Sequence, residues 1–314
     1  MDRVWMPSMK NERGDGLRGE AGAAIWDAHV HGYPAAVGRD PGEWGRKHHE
    51  PHWRHLVTEG PQGWAEPEKL LRLMDANGVE KVLLQSWYWE NPENALRQNE
   101  WHAHWLERHP ERFLACAAIH PEMEDPLQTL REARDWGACA LGECFPGIQS
   151  REGWSHPAWK PILEWTTTSL WPVCIHLTEP VGHAYPGRVE TSLMEIVGLF
   201  EAHPGQKWLC AHWGGGLPFH ALNRRVRKAL KQVWFDTAAS PLLYDARIWR
   251  IVCDLLGPEK IIFGSDIPLL LYPRHETEPS WARFLEEFRG SGLHVGELEA
   301  IGRKNLAALL GFSL

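Results

Sequence analysis

The sequence predicts a (β/α)₈ barrel, the TIM barrel of the α/β class, and two observations predict it. Short apolar runs rich in β-branched residues alternate with longer stretches of helical periodicity, the order expected of a parallel sheet covered by helices. The chain has 314 residues, a length that suits one such barrel with insertions. We therefore divide it into an N-terminal leader, 1–24, and a single barrel domain, 25–314.

Eight apolar runs are the strand candidates of this barrel. Most are nearly continuous, as strands covered on both faces should be. The candidates are Ile25 to His31, Lys81 to Ser86, Phe113 to His120, Ala138 to Glu143, Val173 to His176, Lys207 to His212, Val233 to Asp236 and Ile261 to Asp266.

Helical stretches lie between these runs, and several of them end at Gly or at His-Pro. The candidates are Glu68 to Asn77, Asn94 to His109, Pro126 to Trp136, Thr191 to His203, Leu222 to Leu230 and Asp245 to Leu256. The segment from Gly32 to Glu66 has almost no periodicity but is rich in His and Trp. Long loops of this kind are functional lids or disordered, and we predict a lid that contacts substrate.

Composition limits the kinds of binding partner that we expect for this protein. The net charge of -8 argues against nucleic acid and against an anionic membrane surface, and no run of about 18 apolar residues is present. We expect a cytoplasmic protein that binds a small molecule; a homo-oligomer is compatible with the sequence. The six cysteines form no CxxC pair, and Cys139, Cys174 and Cys210 are predicted to pack in the barrel interior.

Two histidines at the end of the first strand candidate are the first metal-binding signal. His29 and His31 are two residues apart, so on a strand both side chains point to the same face. Neutral imidazole is a good ligand for Zn²⁺ and similar ions. The pair predicts half of a metal site at the mouth of the barrel.

Other candidate ligands end other strands. His176, His212 and Asp266 stand at the ends of the fifth, sixth and eighth candidates, and Glu143 ends the fourth. Strand ends of an α/β barrel converge on the face where active sites of this fold lie. Residues far apart in sequence are therefore predicted to surround one cation.

Five motifs together resemble the amidohydrolase superfamily, and specifically the amidohydrolase-related group that includes aminocarboxymuconate-semialdehyde decarboxylase and related metal-dependent hydrolases. The resemblance covers the chain from Ile25 onward. The motifs are DAHVH at 27–31, IHLTE at 175–179, AHWGG at 211–215, FGSDIP at 263–268 and GRKNLAALLGF at 302–312.

The resemblance implies a ligand set and a mechanism. It assigns the metal to His29, His31, His176 and Asp266, and gives His212 a role on the substrate or on the metal-bound water. One divalent ion, Zn²⁺ first, is expected. Glu143 stands where two-metal members of the superfamily carry a bridging ligand, so a second ion is left open.

Further residues follow strand ends and are predicted to line the substrate pocket. They are Glu143, Trp87, His120 and Thr178. Packing of the loops themselves is an equally natural role for Trp87, His120 and Thr178. Asp27 either orients a histidine ligand or anchors the barrel.

The leading functional hypothesis is a metal-dependent hydrolase of a small amide, lactone or ester, with Asp266 and His212 handling protons around metal-activated water. The alternative keeps the same site in a non-hydrolytic decarboxylase of an aromatic or unsaturated carboxylic acid. A TatD-like deoxyribonuclease and a metal-binding barrel without catalysis are two further interpretations.

Overall fold

A computed structural model describes residues 24–314, and the predicted leader lies outside them apart from Ala24. All eight predicted strands are present and pair in parallel, in chain order, in one sheet. They are β1 (Ile25–Val30), β2 (Val79–Leu84), β3 (Phe113–Ala117), β4 (Ala140–Cys144), β5 (Val173–Ile175), β6 (Trp208–Cys210), β7 (Val233–Asp236) and β8 (Ile261–Ile262). The predicted (β/α)₈ barrel is confirmed.

Hydrogen bonds between the first and last strand segments close the barrel. The Ala28 N–H donates to the Phe263 carbonyl at 2.8 Å, and the Asp266 N–H donates to the His29 carbonyl at 2.8 Å. The second of these bonds joins the two segments that carry predicted ligands. Closure of the barrel therefore sets the distance between the end of β1 and the residues after β8.

Helices cover the outside of the sheet and its mouth. The α-helices are α1 (Ala35–Arg39), α2 (Pro41–Lys47), α3 (Pro51–Glu59), α4 (Pro67–Asn77), α5 (Pro92–Arg108), α6 (Pro126–Asp135), α7 (Pro146–Gln149), α8 (Trp159–Thr168), α9 (Leu193–Ala202), α10 (Arg224–Ala229), α11 (Ser240–Leu243), α12 (Ile248–Leu256), α13 (Ala282–Arg289), α14 (Val295–Glu299) and α15 (Asn305–Leu310). A π-helical turn, Ala300–Lys304, joins α14 to α15. Short 3₁₀ helices lie at Gly153–Ser155, His212–His220, Leu230–Gln232 and Pro258–Lys260.

The segment from Gly32 to Glu66 was predicted to be a loop without regular structure, and this prediction is wrong. It contains α1, α2 and α3. Both α2 and α3 begin with a proline, whose fixed φ suits the first helical position. Each helix is too short to produce a clear periodicity, which is why the sequence pattern missed them.

Glu50, buried between α2 and α3, ties this segment to the start of α5. Its carboxylate accepts hydrogen bonds from the N–H groups of Glu90 at 2.9 Å and Asn91 at 3.1 Å, and from Asn94 Nδ2 at 2.6 Å. Glu50→Ala would leave these donors without a partner, so we expect the free energy of unfolding in urea to fall by about 2–4 kcal/mol. The exposed Glu59→Ala, also on α3, should change it by less than about 0.5 kcal/mol. Equal effects would contradict the prediction.

One layer of side chains, drawn from strands all around the barrel, fills its interior. The members are Trp26, Ala28, Leu83, Leu114, Cys116, Ala140, Cys174, Leu209, Ala211 and Ile262, together with residues of α15. This layer forms the floor beneath the strand ends.

Two of the three cysteine predictions agree with this layer. Cys174 belongs to it and Cys139 packs against it. The prediction for Cys210 is wrong, because Cys210 packs with Phe235 in the layer between the sheet and the helices. The inference used strict alternation from His212, but His212 has a φ of 57° and leaves the strand geometry.

Among residues 24–314, no helix combines the length and the apolar character needed to cross a membrane.

Candidate metal centre and its pocket

Six side chains from five strand ends meet at the mouth of the barrel. They are His29, His31, Glu143, His176, His212 and Asp266. All are buried or nearly so, and Asp266 and His176, each with 13% of the side chain exposed, open furthest toward solvent. The predicted convergence of distant residues is therefore found in the structure.

Three of the predicted ligands form one group. His29 Nε2 and His31 Nε2 are 3.2 Å apart, and Asp266 Oδ1 lies 3.7 Å from the first and 3.5 Å from the second. Glu143 Oε2 lies 3.7 Å from His29 Nε2 and 3.8 Å from His31 Nε2. Metal–ligand bonds of about 2.0–2.2 Å place neighbouring donors roughly 3–3.6 Å apart. The separations among His29, His31 and Asp266, and those from Glu143 to the two histidines, therefore suit a divalent ion after small shifts.

His176 lies across Glu143 from this group, beside His212. Glu143 Oε1 is 2.9 Å from His176 Nδ1 and 3.3 Å from His212 Nε2, and the two imidazole nitrogens are 3.2 Å apart. The structure thus pairs His176 with His212 instead of placing it directly among the other three predicted ligands. Glu143 touches both groups, one with each oxygen.

Hydrogen bonds at the outer ring nitrogens decide which atoms face the cluster. Asp236 Oδ2 is 2.8 Å from His29 Nδ1 and the Ala238 carbonyl is 3.3 Å from His212 Nδ1. Both partners only accept, so each Nδ1 carries the proton and each Nε2 turns a lone pair toward Glu143. Lone pairs and carboxylate oxygens crowded together need a positive charge among them. The donor chemistry therefore fits a cation.

The pKa values also indicate that the cluster needs a positive charge. Burial lowers the pKa of His29, but the carboxylates of Asp236 and Glu143 outweigh it and raise that pKa to about 10. A proton on His29 then supplies the positive charge that a metal ion would otherwise bring. Burial raises the pKa of Asp266 to about 6, although His29 and His212 oppose the shift.

Local breaks in strand geometry set the direction of two of these side chains, Glu143 and His212. In β4, Leu141 and Cys144 both pack outside the barrel although they are three residues apart, so the alternation shifts between them and Glu143 points inward. Gly142 makes this shift with a φ of 135°, and a Cβ there would lie 2.6 Å from the Cys174 carbonyl oxygen. Only glycine fits at this position.

After β6 the chain makes a tight left-handed turn. Residues 212–216 all have positive φ, and a Cβ on Gly215 would lie 2.8 Å from the Thr178 carbonyl oxygen. This requirement explains the glycines of the HWGGG sequence. It also holds His212 at φ 57°, a conformation that costs a non-glycine residue about 1 kcal/mol or more.

A cavity of about 300 Å³ opens above the cluster. Trp87, Thr178 and Glu143, three of the four predicted pocket residues, line it. His120, the fourth, is fully buried and is not part of the wall; its Nδ1 accepts from the Glu122 N–H at 3.1 Å. This bond fits the alternative that the sequence left open for His120, a loop-stabilising role.

The His-rich segment reaches the cavity through one of its four histidines. His52 of α3 lines the wall, and its Nε2 lies 2.8 Å from the Gly187 carbonyl oxygen on the loop after β5. Leu56, one turn later, lines the same wall. The segment therefore supplies part of the cavity wall, and its role as a lid that contacts substrate stays a prediction.

Sequence reasoning missed Asp236, although it ends a predicted strand just as the candidate ligands do. Its second oxygen accepts from the N–H groups of His212 and Ala238, each at 3.0 Å. Asp27 differs, because its carboxylate accepts hydrogen bonds from the backbone N–H groups of His29 and Ser265 and from the Trp281 indole. Asp236 thus orients an imidazole, whereas Asp27 anchors the backbone.

This difference gives a testable prediction. Asp236→Asn is expected to weaken divalent-metal binding about 10- to 100-fold, because His29 loses the acceptor that fixes its tautomer. Asp27→Asn should lower the melting temperature with a smaller change in the metal Kd. Metal titration calorimetry and thermal unfolding separate the two effects. Equal metal affinities for the two variants would contradict the role of Asp236.

The chain belongs to the amidohydrolase family, whose model matches residues 26–312. The family resemblance drawn from the motifs is thereby confirmed. A relative from Dictyostelium discoideum, 2-amino-3-carboxymuconate-6-semialdehyde decarboxylase, is 24% identical to this chain, and the match covers 73% of each protein.

Two solved structures share the fold. The 2,6-dihydroxybenzoate decarboxylase from Rhizobium has a TM-score of 0.66 at 18% identity, covering 92% of this chain and 99% of that one. The 5-carboxyvanillate decarboxylase from Novosphingobium aromaticivorans, complexed with manganese and 4-hydroxy-3-methoxy-5-nitrobenzoic acid, has a TM-score of 0.69 at 15% identity, covering 94% and 98%. All three named proteins are decarboxylases, which favours the alternative interpretation over the hydrolase.

Proposed function

We propose that this protein is a metal-dependent decarboxylase that releases CO₂ from an aromatic or unsaturated carboxylic acid. The observation that carries the proposal is the position of Asp266. Its carboxyl group touches the donor cluster through Oδ1 and also lines the cavity. A single side chain is thus placed to meet both a metal and the reacting carbon of a substrate. The decarboxylases among the relatives support the same reaction.

The proposed ligands are His29, His31, Glu143 and Asp266. A divalent ion held there would supply a Lewis acid that fixes and polarises the oxygens of the substrate. Histidine and carboxylate donors suit both Zn²⁺ and Mn²⁺, so both ions belong in the test.

Decarboxylation replaces a carboxylate by a proton. The bond from the substrate carbon to the carboxylate breaks, its electron pair stays on that carbon, and CO₂ leaves. A proton must then reach the carbon, and Asp266 is the proposed donor because its carboxyl group lines the cavity beside the cluster. His212 Nδ1 lies 3.8 Å from Asp266 Oδ2, close enough to support proton return through a small movement.

The test is a comparison of reaction classes on protein loaded with Zn²⁺ or Mn²⁺. Hydroxybenzoates and unsaturated acids are assayed for CO₂ release, and lactones, esters and amides for hydrolysis. We expect CO₂ release from at least one acid and none from the metal-free protein. Turnover confined to lactones, esters or amides would overturn the proposal and favour the hydrolase.

A second ion is favoured by one specific observation. Glu143 Oε1, His176 Nδ1 and His212 Nε2 form a separate donor group with separations of 2.9–3.3 Å, next to the first. A carboxylate with one oxygen in each group is suited to join two ions. We propose that Glu143 has this bridging role.

Metal stoichiometry tests the bridging role. We expect about two equivalents per chain in the parent protein and about one in His176→Ala, because the second group loses one of its two imidazoles while the first stays complete. Elemental analysis after gel filtration gives the count. The variant His104→Ala, exposed on α5, serves as the control. One equivalent in both the parent and His176→Ala would contradict the two-ion arrangement.

A further inference from the structure

Aromatic side chains form the cavity wall beside the donor cluster. Trp87 and Tyr88 stack at 4.4 Å, and Phe145 stacks on the His176 ring at 4.7 Å with 25° between the planes. Trp87 also meets the edge of His31 at 5.4 Å. These rings pack directly on the histidines of the cluster. A planar substrate placed at the metal would therefore lie against aromatic surface.

Aliphatic side chains supply another part of the wall. Leu242 and Leu243 come from α11 after β7, Leu269 follows β8, and Leu56 comes from α3. In a barrel with strands in chain order, β7 and β8 lie across the mouth from β4. The space between the two walls is therefore apolar on both sides.

The described residues that line the cavity carry no fixed cation beyond the cluster. Among the lining residues that the structure describes there is no lysine or arginine. Arg188 lies next to the wall, but its Nη2 donates to the carbonyl oxygens of Glu179 at 3.1 Å and Pro180 at 2.8 Å. His183 lines the rim, where its side chain is exposed to water.

A carboxylate adds negative charge to the wall. Glu179 is buried, and it accepts from the Tyr244 hydroxyl and from the Val181 N–H. A second carboxylate on the substrate would meet this charge and lose its water without gaining a partner. An anion in this part of the cavity is therefore unfavourable.

Neutral donors are available instead. The Tyr33 hydroxyl accepts from Trp53 Nε1 at 3.3 Å and keeps its own proton for another acceptor. The hydroxyl groups of Tyr33 and Tyr88 belong to residues that line the cavity. Hydroxyl, methoxyl or carbonyl groups of a substrate can accept from them.

We infer that the substrate is a planar acid with a single carboxylate and an otherwise apolar or neutral body, and that the pocket excludes dicarboxylates. This inference rests on the proposed function for the place of that carboxylate at the metal. The neutral body of the substrate and the exclusion of a second carboxylate follow from the residues of the cavity wall. The substrate class is thus set by the absence of a countercharge among the lining residues, together with the negative charge of Glu179.

Two ligands that differ only in one group test the inference. The probes are 2-hydroxy-3-methylbenzoate and 2-hydroxyisophthalate, in which a carboxylate replaces the methyl group. Calorimetry on the Mn²⁺-loaded protein should show the methyl compound binding on the order of 100-fold more tightly. Equal affinity, tighter binding of the dianion, or no binding of either probe would overturn the inference.

Charge-introducing variants sharpen the test. Leu243→Arg and, independently, Leu269→Arg place a cation in the wall and should reduce the preference to less than about 10-fold. Leu170→Arg, exposed before β5 at the opposite end of the barrel, should leave the preference unchanged. An unchanged preference in folded variants at both wall positions would also overturn the inference.

The binding and turnover measurements distinguish a failure of the pocket inference from a failure of the proposed decarboxylase. A strong preference for the methyl compound without CO₂ release from any acid would contradict the decarboxylase and leave the pocket inference standing. CO₂ release from a dicarboxylate with a kcat/KM equal to that of its methyl counterpart would contradict the pocket inference and support the decarboxylase.

Discussion

His31→Ala is expected to abolish turnover and to weaken divalent-metal binding by more than about 100-fold, the upper end of the loss seen for residues that only support a ligand. His31 Nε2 faces His29 at 3.2 Å, Asp266 at 3.5 Å and Glu143 at 3.8 Å. Burial and the charge on His29 lower the pKa of His31 to about 3. The ring is therefore neutral near pH 7, with a lone pair free for a metal ion.

Thermal unfolding gives a second measurement of the same prediction. A metal that binds only the folded state stabilises it by about 2.7 kcal/mol at a free concentration of 100 times Kd. A chelator should therefore lower the melting temperature of the parent protein and of His104→Ala by more than that of His31→Ala, which keeps only the second donor group. Parental metal affinity in His31→Ala would show that the first donor group is not the metal site.

The fold and most of the site follow from one rule of sequence. Parallel strands end at a common face, so His29, His176, His212 and Asp266, each at the end of an apolar run, had to meet. The same rule applies to Asp236, which ends β7. Sequence patterns do not reveal its contact with His29, because the two residues are 207 positions apart in the chain.

Side-chain direction could not be predicted as well as position. Strict alternation fails where β4 shifts at Gly142 and where β6 leaves strand geometry at His212. For Glu143 the prediction of a pocket position did not depend on alternation. For Cys210 it did, and the prediction placed that side chain on the wrong side of the sheet.

The pairing of donors also lies beyond sequence patterns. Whether His176 faces Asp266 or His212 depends on how the rings pack, and here Phe145 stacks on His176 beside Glu143. Short helices such as α2 and α3 were missed for a different reason. Their signal is a proline at the first helical position after an acidic residue, not periodicity.

Asp266→Asn is expected to lower kcat by about 10² to 10⁴-fold, the usual contribution of a positioned proton donor. The amide keeps the size of the side chain and one oxygen for the metal, but it has no acidic proton to give to the substrate carbon. Because His29 and His31 remain, the variant should still retain metal. Elemental analysis shows whether metal loss contributes to the lower rate.

The same chemical change at an exposed site provides the control. Asp135→Asn, at the end of α6 with 77% of the side chain exposed, should retain parental kcat. Binding of 2-hydroxy-3-methylbenzoate separates the two roles of Asp266. A proton donor affects kcat more than KM, whereas a pure ligand changes metal content and substrate affinity together. Metal-loaded Asp266→Asn with parental kcat would assign the proton to another group, and His212 is the next side chain to replace.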